Sequence, residues 1–194
     1  EQTGIITKLV QANKKKAVKE KKKSGGFSFG QGVKAQDILI FAKQFSTNHV
    51  IPNILGAIYA GLNQHEKAIM SFNKGIELKP NFAGAYSNIG VALLELGKHQ
   101  EAITHYNKAI ELKPNYLEAH NNLGIALNEL GQYEEAITNY KKAIDRKPNS
   151  PETYSNLGIV TNELGKHEES ITSFNTAIEL KPDFSEAYNN LCSA

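Results

Sequence analysis

The side chains best suited to chemistry in this sequence are asparagines. Asn88, Asn122, Asn156 and Asn190 recur every 34 residues, each directly before an isoleucine or leucine. A side-chain amide carries a donor and an acceptor, the complement of the N–H and C=O of a peptide unit. A row of such amides can grip the backbone of an extended strand, with each bond worth about 0.5–1.5 kcal/mol net. Set against the cost of ordering the strand, that total implies micromolar or weaker affinity. The competing reading is that duplication copied a polar residue onto a solvated face.

No other set of residues makes a catalytic or metal-binding case. The sequence has no glycine-rich phosphate loop, no H-E-x-x-H and no G-x-S-x-G. His65, His99 and His167 recur at one slot, and Tyr133 takes that slot in between. A slot that accepts tyrosine argues for packing in a turn rather than for a ligand set. Cys192, the one cysteine, falls where Gly56, Gly90, Gly124 and Gly158 fall. It is therefore expected to be a small packed residue, and a cysteine-based metal centre or intrachain disulfide is excluded. Glu134-Glu135 and Glu168-Glu169 sit where second helices should begin, where the helix dipole favours negative charge. The expectation is no catalytic residue, no metal and no cofactor.

The elements that position these asparagines follow from the same period. Apolar residues keep helical spacing: Tyr86, Ile89, Leu93 and Leu96 on one helix, Ile103, Tyr106 and Ile110 on the next. Gly97, Gly131 and Gly165, with Asn63 one period earlier, stand where the chain must turn back through a left-handed residue. Pro80, Pro114, Pro148 and Pro182 stop each second helix. Ser150-Pro151 reads as a helix N-cap followed by proline in the first turn. Gly56, Gly90, Gly124 and Gly158 lie inside helices, where glycine costs about 1 kcal/mol against alanine. That cost makes sense where a neighbour packs too closely for a side chain.

The 34-residue period, the Leu/Ile-Gly pair, the small residue twelve positions on (Ala68, Ala102, Ala136, Ser170) and the closing proline resemble the tetratricopeptide repeat (TPR). The resemblance covers about 49–194, as repeats 49–82, 83–116, 117–150 and 151–184 and a partial fifth, 185–194. Pro52 and His120 depart from it by standing where an aromatic is usual, and Thr161 by standing where a large apolar residue is usual. One antiparallel helix pair cannot bury its apolar face, whereas stacked pairs can. The expected fold is therefore all-α, a right-handed solenoid of helix pairs. The resemblance implies that first helices line its concave side.

On the first helices, residues four before, three after and seven after each asparagine share its face. The stripes run Gly84, Asn88, Val91, Glu95; then Glu118, Asn122, Ile125, Glu129; then Glu152, Asn156, Ile159, Glu163. The equivalent slots of the first repeat, Val50, Ile54, Ala57 and Gly61, are wholly apolar. Glu118, Glu152 and Glu186 lie near helix N-termini, where the dipole accounts for them. Glu95, Glu129 and Glu163 lie in last turns, where it opposes them. Lys98 and Lys166 are placed to compensate two of these, or else the carboxylates serve the groove and favour basic or neutral peptides.

The inward asparagines resemble the asparagine ladder of O-linked N-acetylglucosamine transferases. That resemblance implies peptide binding by Asn88, Asn122, Asn156 and Asn190. It also opens a second reading, in which this chain recruits substrate for a transferase domain lying after residue 194. Carboxylate-clamp TPRs, which hold acidic chaperone tails, use inward Lys, Arg and Asn. The stripe here has no Lys or Arg, which argues against such tails.

Charge divides the chain. Residues 1–33 hold eight lysines against Glu1 and Glu20, a net +6, while the remainder is −4. Residues 24–33 carry four glycines and read as a linker, and residues 34–48 read as a degenerate capping helix of the TPR domain. The lysine-rich segment reads first as a solubilising tail. Nucleic acid or an anionic membrane is the weaker alternative, because no aromatic interleaves the lysines to stack on bases. A third option is docking of this tail in an acidic groove, its own or a neighbour's. The unfinished fifth repeat leaves Tyr188 and Leu191 without a covering helix, so continuation past 194 or burial of this end by self-association is expected. Apolar residues make up 40% of the chain, enough for a packed core, yet no run reaches the roughly 18 residues of a membrane span.

Overall fold

Four helix pairs and one further helix follow one another in the computed structural model, which describes residues 48–193. In chain order they are α1 (Val50–Gly61), α2 (His65–Leu78), α3 (Ala83–Glu95), α4 (His99–Leu112), α5 (Leu117–Glu129), α6 (Tyr133–Arg146), α7 (Pro151–Glu163), α8 (His167–Leu180) and α9 (Ser185–Leu191). All lie in one compact unit, Thr47–Ala194. The basic segment 1–33 and the expected capping helix 34–48, Asn48 apart, lie outside the described residues.

Each first helix ends through a left-handed residue. Gly97, Gly131 and Gly165 have φ of 70°, 71° and 70°, and Asn63 has φ 55°. The residue after each closes the turn: Lys98 N–H donates to Leu93 C=O at 2.9 Å, and Gln64, Gln132 and Lys166 do the same in their repeats. These bonds satisfy carbonyls that the helix end leaves free. Ser150 caps α7 with Pro151 in its first turn. Its hydroxyl meets the Thr153 hydroxyl at 2.9 Å rather than a backbone N–H.

The core repeats with the sequence. Phe72, Tyr106, Tyr140 and Phe174 are fully buried, one ring per second helix. Each ring lies flat against a helical glycine of its own pair. A Cβ on Gly90 would come within 2.5 Å of the Tyr106 ring, and one on Gly124 within 2.6 Å of Tyr140. The ring fills the place a side chain would take, which is why glycine is accepted inside these helices. Ala68, Ala102 and Ala136 occupy the tightest slot on second helices, with no exposure. Ser170 takes that slot in the fourth pair, and its hydroxyl donates to Gly158 C=O at 2.8 Å.

The departures from the repeat pattern are also accommodated. Buried Thr161 donates to Leu157 C=O at 2.8 Å, so its hydroxyl costs little in an apolar slot. Buried His120 places Nδ1 3.0 Å from Asn139 Oδ1 and Nε2 3.0 Å from Pro114 C=O. Pro52 is buried in α1.

First helices of successive repeats touch one another: α1 with α3, α3 with α5, α5 with α7 and α7 with α9. Second helices touch only first helices. Elements that converge lie on the inside of a curve, so the first helices form the concave surface.

Candidate functional site: the inner face of the first helices

The inner face is built from α3, α5, α7 and α9, the helices that carry Asn88, Asn122, Asn156 and Asn190. Asn88 is exposed, and the other three are half-buried. Among the described residues, the amides of Asn88, Asn156 and Asn190 enter no hydrogen bond with the scaffold. Asn122 differs: its Oδ1 accepts from Asn121 Nδ2 at a long 3.4 Å. Three of the four amides thus keep their full bonding capacity, and the fourth gives up little of its own.

Glu95, Glu129 and Glu163 are exposed at the ends of the same helices. The lysine expected to compensate Glu95 turns elsewhere: Lys98 Nζ lies 3.9 Å from Glu101 Oε1, on the following helix. The dipole of α4 favours Glu101 in that first turn. Glu152, on the same stripe, faces Lys181 at 4.0 Å, an exposed pair that contributes little. Val91 stays 38% exposed, and Ile125 and Ile159 are half-buried, so the stripe alternates amide, apolar and carboxylate along each helix.

The floor beneath the stripe holds a residue that periodicity assigned only to the core. Tyr106 is wholly buried, and its hydroxyl makes no well-formed hydrogen bond among the described residues, although the Asn122 amide lies close enough to interact with it. Its ring packs against Gly90, and its buried hydroxyl feels the Asn122 amide and the Glu95 carboxylate. Burial drives the phenol's pKa far above its ordinary value; the Asn122 amide acts in the opposite direction, and Glu95 adds to the rise. Tyr140, one repeat on, is raised in the same way by burial and then by Glu129. The signal was present in the sequence. The ring slot reads Phe72, Tyr106, Tyr140, Phe174, so a hydroxyl enters only in the two central pairs.

Cys192 corrects an expectation. It is exposed, not packed. The glycines at this slot are covered by a ring from their own second helix, and among the described residues no second helix follows α9. Among the described residues, no three His, Cys, Asp or Glu side chains converge as a metal site. The histidine slot belongs to the turns. His167 Nδ1 lies 2.9 Å from Asn162 Oδ1.

Comparison with known families fits this architecture. A tetratricopeptide repeat model matches residues 81–149 and 115–183, and a second TPR model matches 56–97. The chain belongs to the tetratricopeptide repeat family. No curated protein matches its sequence. The TPR fold is shared with a crystal structure of MamA, at TM-score 0.71 and 26% identity, over 78% of this chain and 89% of that one. MamA 41-end from Desulfovibrio magneticus RS-1 superposes equally well, at 0.71 over 77% and 85% of the two chains; at 22% identity this shows the fold alone. The first TPR of Spaghetti (RPAP3), bound to the HSP90 peptide SRMEEVD, matches at TM-score 0.60 and 25% identity, over 62% of this chain and 95% of that one. The fold and its relatives make this chain a protein-interaction scaffold.

Proposed function

We propose that this TPR solenoid holds an extended segment of another protein along the inner face of its first helices. Asn88, Asn122, Asn156 and Asn190 bond the segment's backbone, and Glu95, Glu129 and Glu163 select basic or neutral sequence over acidic. The observation that carries this reading is that an asparagine recurs once in each repeat after the first, always on the helices that converge. Among the described residues, the side-chain amides of Asn88, Asn156 and Asn190 enter no hydrogen bond. The related RPAP3 domain is described with an acidic peptide. Here the stripe carries five carboxylates, Glu95, Glu118, Glu129, Glu152 and Glu163, and no Lys or Arg, which favours a basic or neutral ligand over an acidic one.

Replacing Asn122 and Asn156 together with alanine tests the reading. Both side chains are half-buried and hold no structural bond beyond the long Asn121 contact, so helical content and melting temperature should stay near those of the parent. Binding to a peptide selected from an array should weaken by roughly 5- to 100-fold, the loss of two net hydrogen bonds. Unchanged affinity would remove the ladder.

A further inference from the structure

The stripe on the first helices changes character along the solenoid. Its first-turn slot reads Val50, Gly84, Glu118, Glu152, and its last-turn slot reads Gly61, Glu95, Glu129, Glu163. The stripe therefore carries no carboxylate on α1, one on α3 and two each on α5 and α7. Packing does not demand the glycine at 61, where a Cβ would meet nothing within 4 Å. Charge is missing from this end without a structural reason for its absence.

Apolar side chains take its place. Ile54 stands where the later repeats carry asparagine, and it is 38% exposed. Val91, on α3, is exposed to the same extent, and Ala57 is exposed between the slots of Ile54 and Gly61. α1 and α3 touch, so these residues lie on neighbouring helices. Removing such surface from water is favourable, and a lysine placed over it would gain no opposite charge. The α5–α7 end has the reverse preference. Glu118, Glu129 and Glu163 are exposed there and make no ion pair among the described residues.

We propose that Ile54, Ala57 and Val91 seat an apolar anchor of the bound segment. The ligand is a partner segment of two-part chemistry: apolar side chains over α1 and α3, followed by basic ones over α5 and α7. The proposal rests on the reading that this face holds an extended segment, and it adds an order of residues to it.

The test uses the full chain and two sets of fluorescein-labelled glycine-serine peptides, with fluorescence anisotropy as the readout. Both sets carry two lysines. One adds two leucines, before or after the lysines and at scanned separations; the other has serine at those places. The parent should prefer the leucine set by roughly 3- to 10-fold at one separation. Ile54→Asn with Gly61→Glu should abolish that preference and leave the serine set unchanged or tighter. Both substitutions install the residue types found at these slots in the next repeats, and an unchanged melting temperature confirms the fold. Met70→Thr is the control. Met70 is 72% exposed on α2, and threonine stands at its slot in the three later repeats, so this change should leave the preference intact. Asn122→Ala with Asn156→Ala tests the ladder separately and should weaken both sets alike. A leucine preference that is absent, that survives Ile54→Asn with Gly61→Glu, or that is lost in Met70→Thr overturns the anchor; the ladder stands if the asparagine changes still weaken both sets. Indifference to the asparagine changes, with the leucine preference still set by Ile54 and Gly61, overturns the ladder and supports the anchor. No binding of either set overturns both.

Discussion

Across the turn between α7 and α8, His167 Nδ1 lies 2.9 Å from Asn162 Oδ1, and no other repeat completes this pair. In the third repeat the asparagine is present as Asn128, but Tyr133 replaces the histidine, and Asn128 Oδ1 is left buried without a partner. In the first and second repeats the histidines are present but face Ala60 and Leu94, and His65 Nδ1 and His99 Nδ1 are the orphans. Divergence after duplication has separated the members of one hydrogen bond among neighbouring copies.

That history predicts opposite effects of one substitution at two equivalent sites. Leu94 shows that leucine fits this slot, packed against the core. Asn128→Leu removes an unpaired buried carbonyl and should stabilise the fold by about 1 kcal/mol. Asn162→Leu breaks a formed bond and should give no gain, or a loss of up to about 1 kcal/mol. Urea unfolding of the two variants side by side measures the difference. Equal shifts would mean that the orphaned carbonyl carries no cost.

The helical glycines separate two costs that sequence alone cannot distinguish. Gly124→Ala would press a methyl to within 2.6 Å of the buried Tyr140 ring, whereas Gly61→Ala meets nothing within 4 Å. The first should destabilise by about 1–3 kcal/mol through overpacking. The second should stabilise by up to about 1 kcal/mol through reduced chain entropy. Denaturant midpoints at constant m-value decide both.

Tyr106→Phe deletes a hydroxyl that has lost water and gained no well-formed bond, so the folded state should be unchanged or up to about 1 kcal/mol more stable. A clear loss of stability on thermal unfolding would mean that the hydroxyl is satisfied within the folded chain, as by the Asn122 amide.

The repeat and the turns were legible because each depends on one residue type at a fixed step. Gly97 and its equivalents occupy a left-handed turn that only glycine or asparagine enters freely, and Gly90 answers to a ring that is itself periodic. Three features escaped, the first being the exposure of Cys192, which no ring from a following second helix covers among the described residues. Lys98 was placed correctly to reach Glu95 but pairs with Glu101 on the next helix, a choice between two neighbours that spacing leaves open. The Tyr106 hydroxyl was hidden because a tyrosine at a core position looks apolar, and only the packing shows what surrounds its buried oxygen.

The same slot logic yields a pH dependence. His105 is half-buried on α4, with its ring 6.1 Å from that of Tyr86. Burial lowers its pKa below 6.5, and Glu101, one turn earlier, opposes the shift less strongly. In the unfolded chain the imidazole titrates at its ordinary value, so on acidification the unfolded state takes up the proton first. The contribution of this group to stability is therefore complete above 6.5 and is lost as pH falls through 6.5 toward the lower folded value. Ser71 and Ser173 fill the equivalent slot in the outer repeats, so His105→Ser is tolerated by the architecture. Between about pH 7.5 and about pH 5.5 the parent should lose more stability than this variant, in urea midpoints measured at fixed ionic strength. The variant's curve should be the flatter one, because it has lost a proton uptake that favours unfolding. Parallel curves would show that His105 is as free to protonate in the folded chain as in the unfolded one.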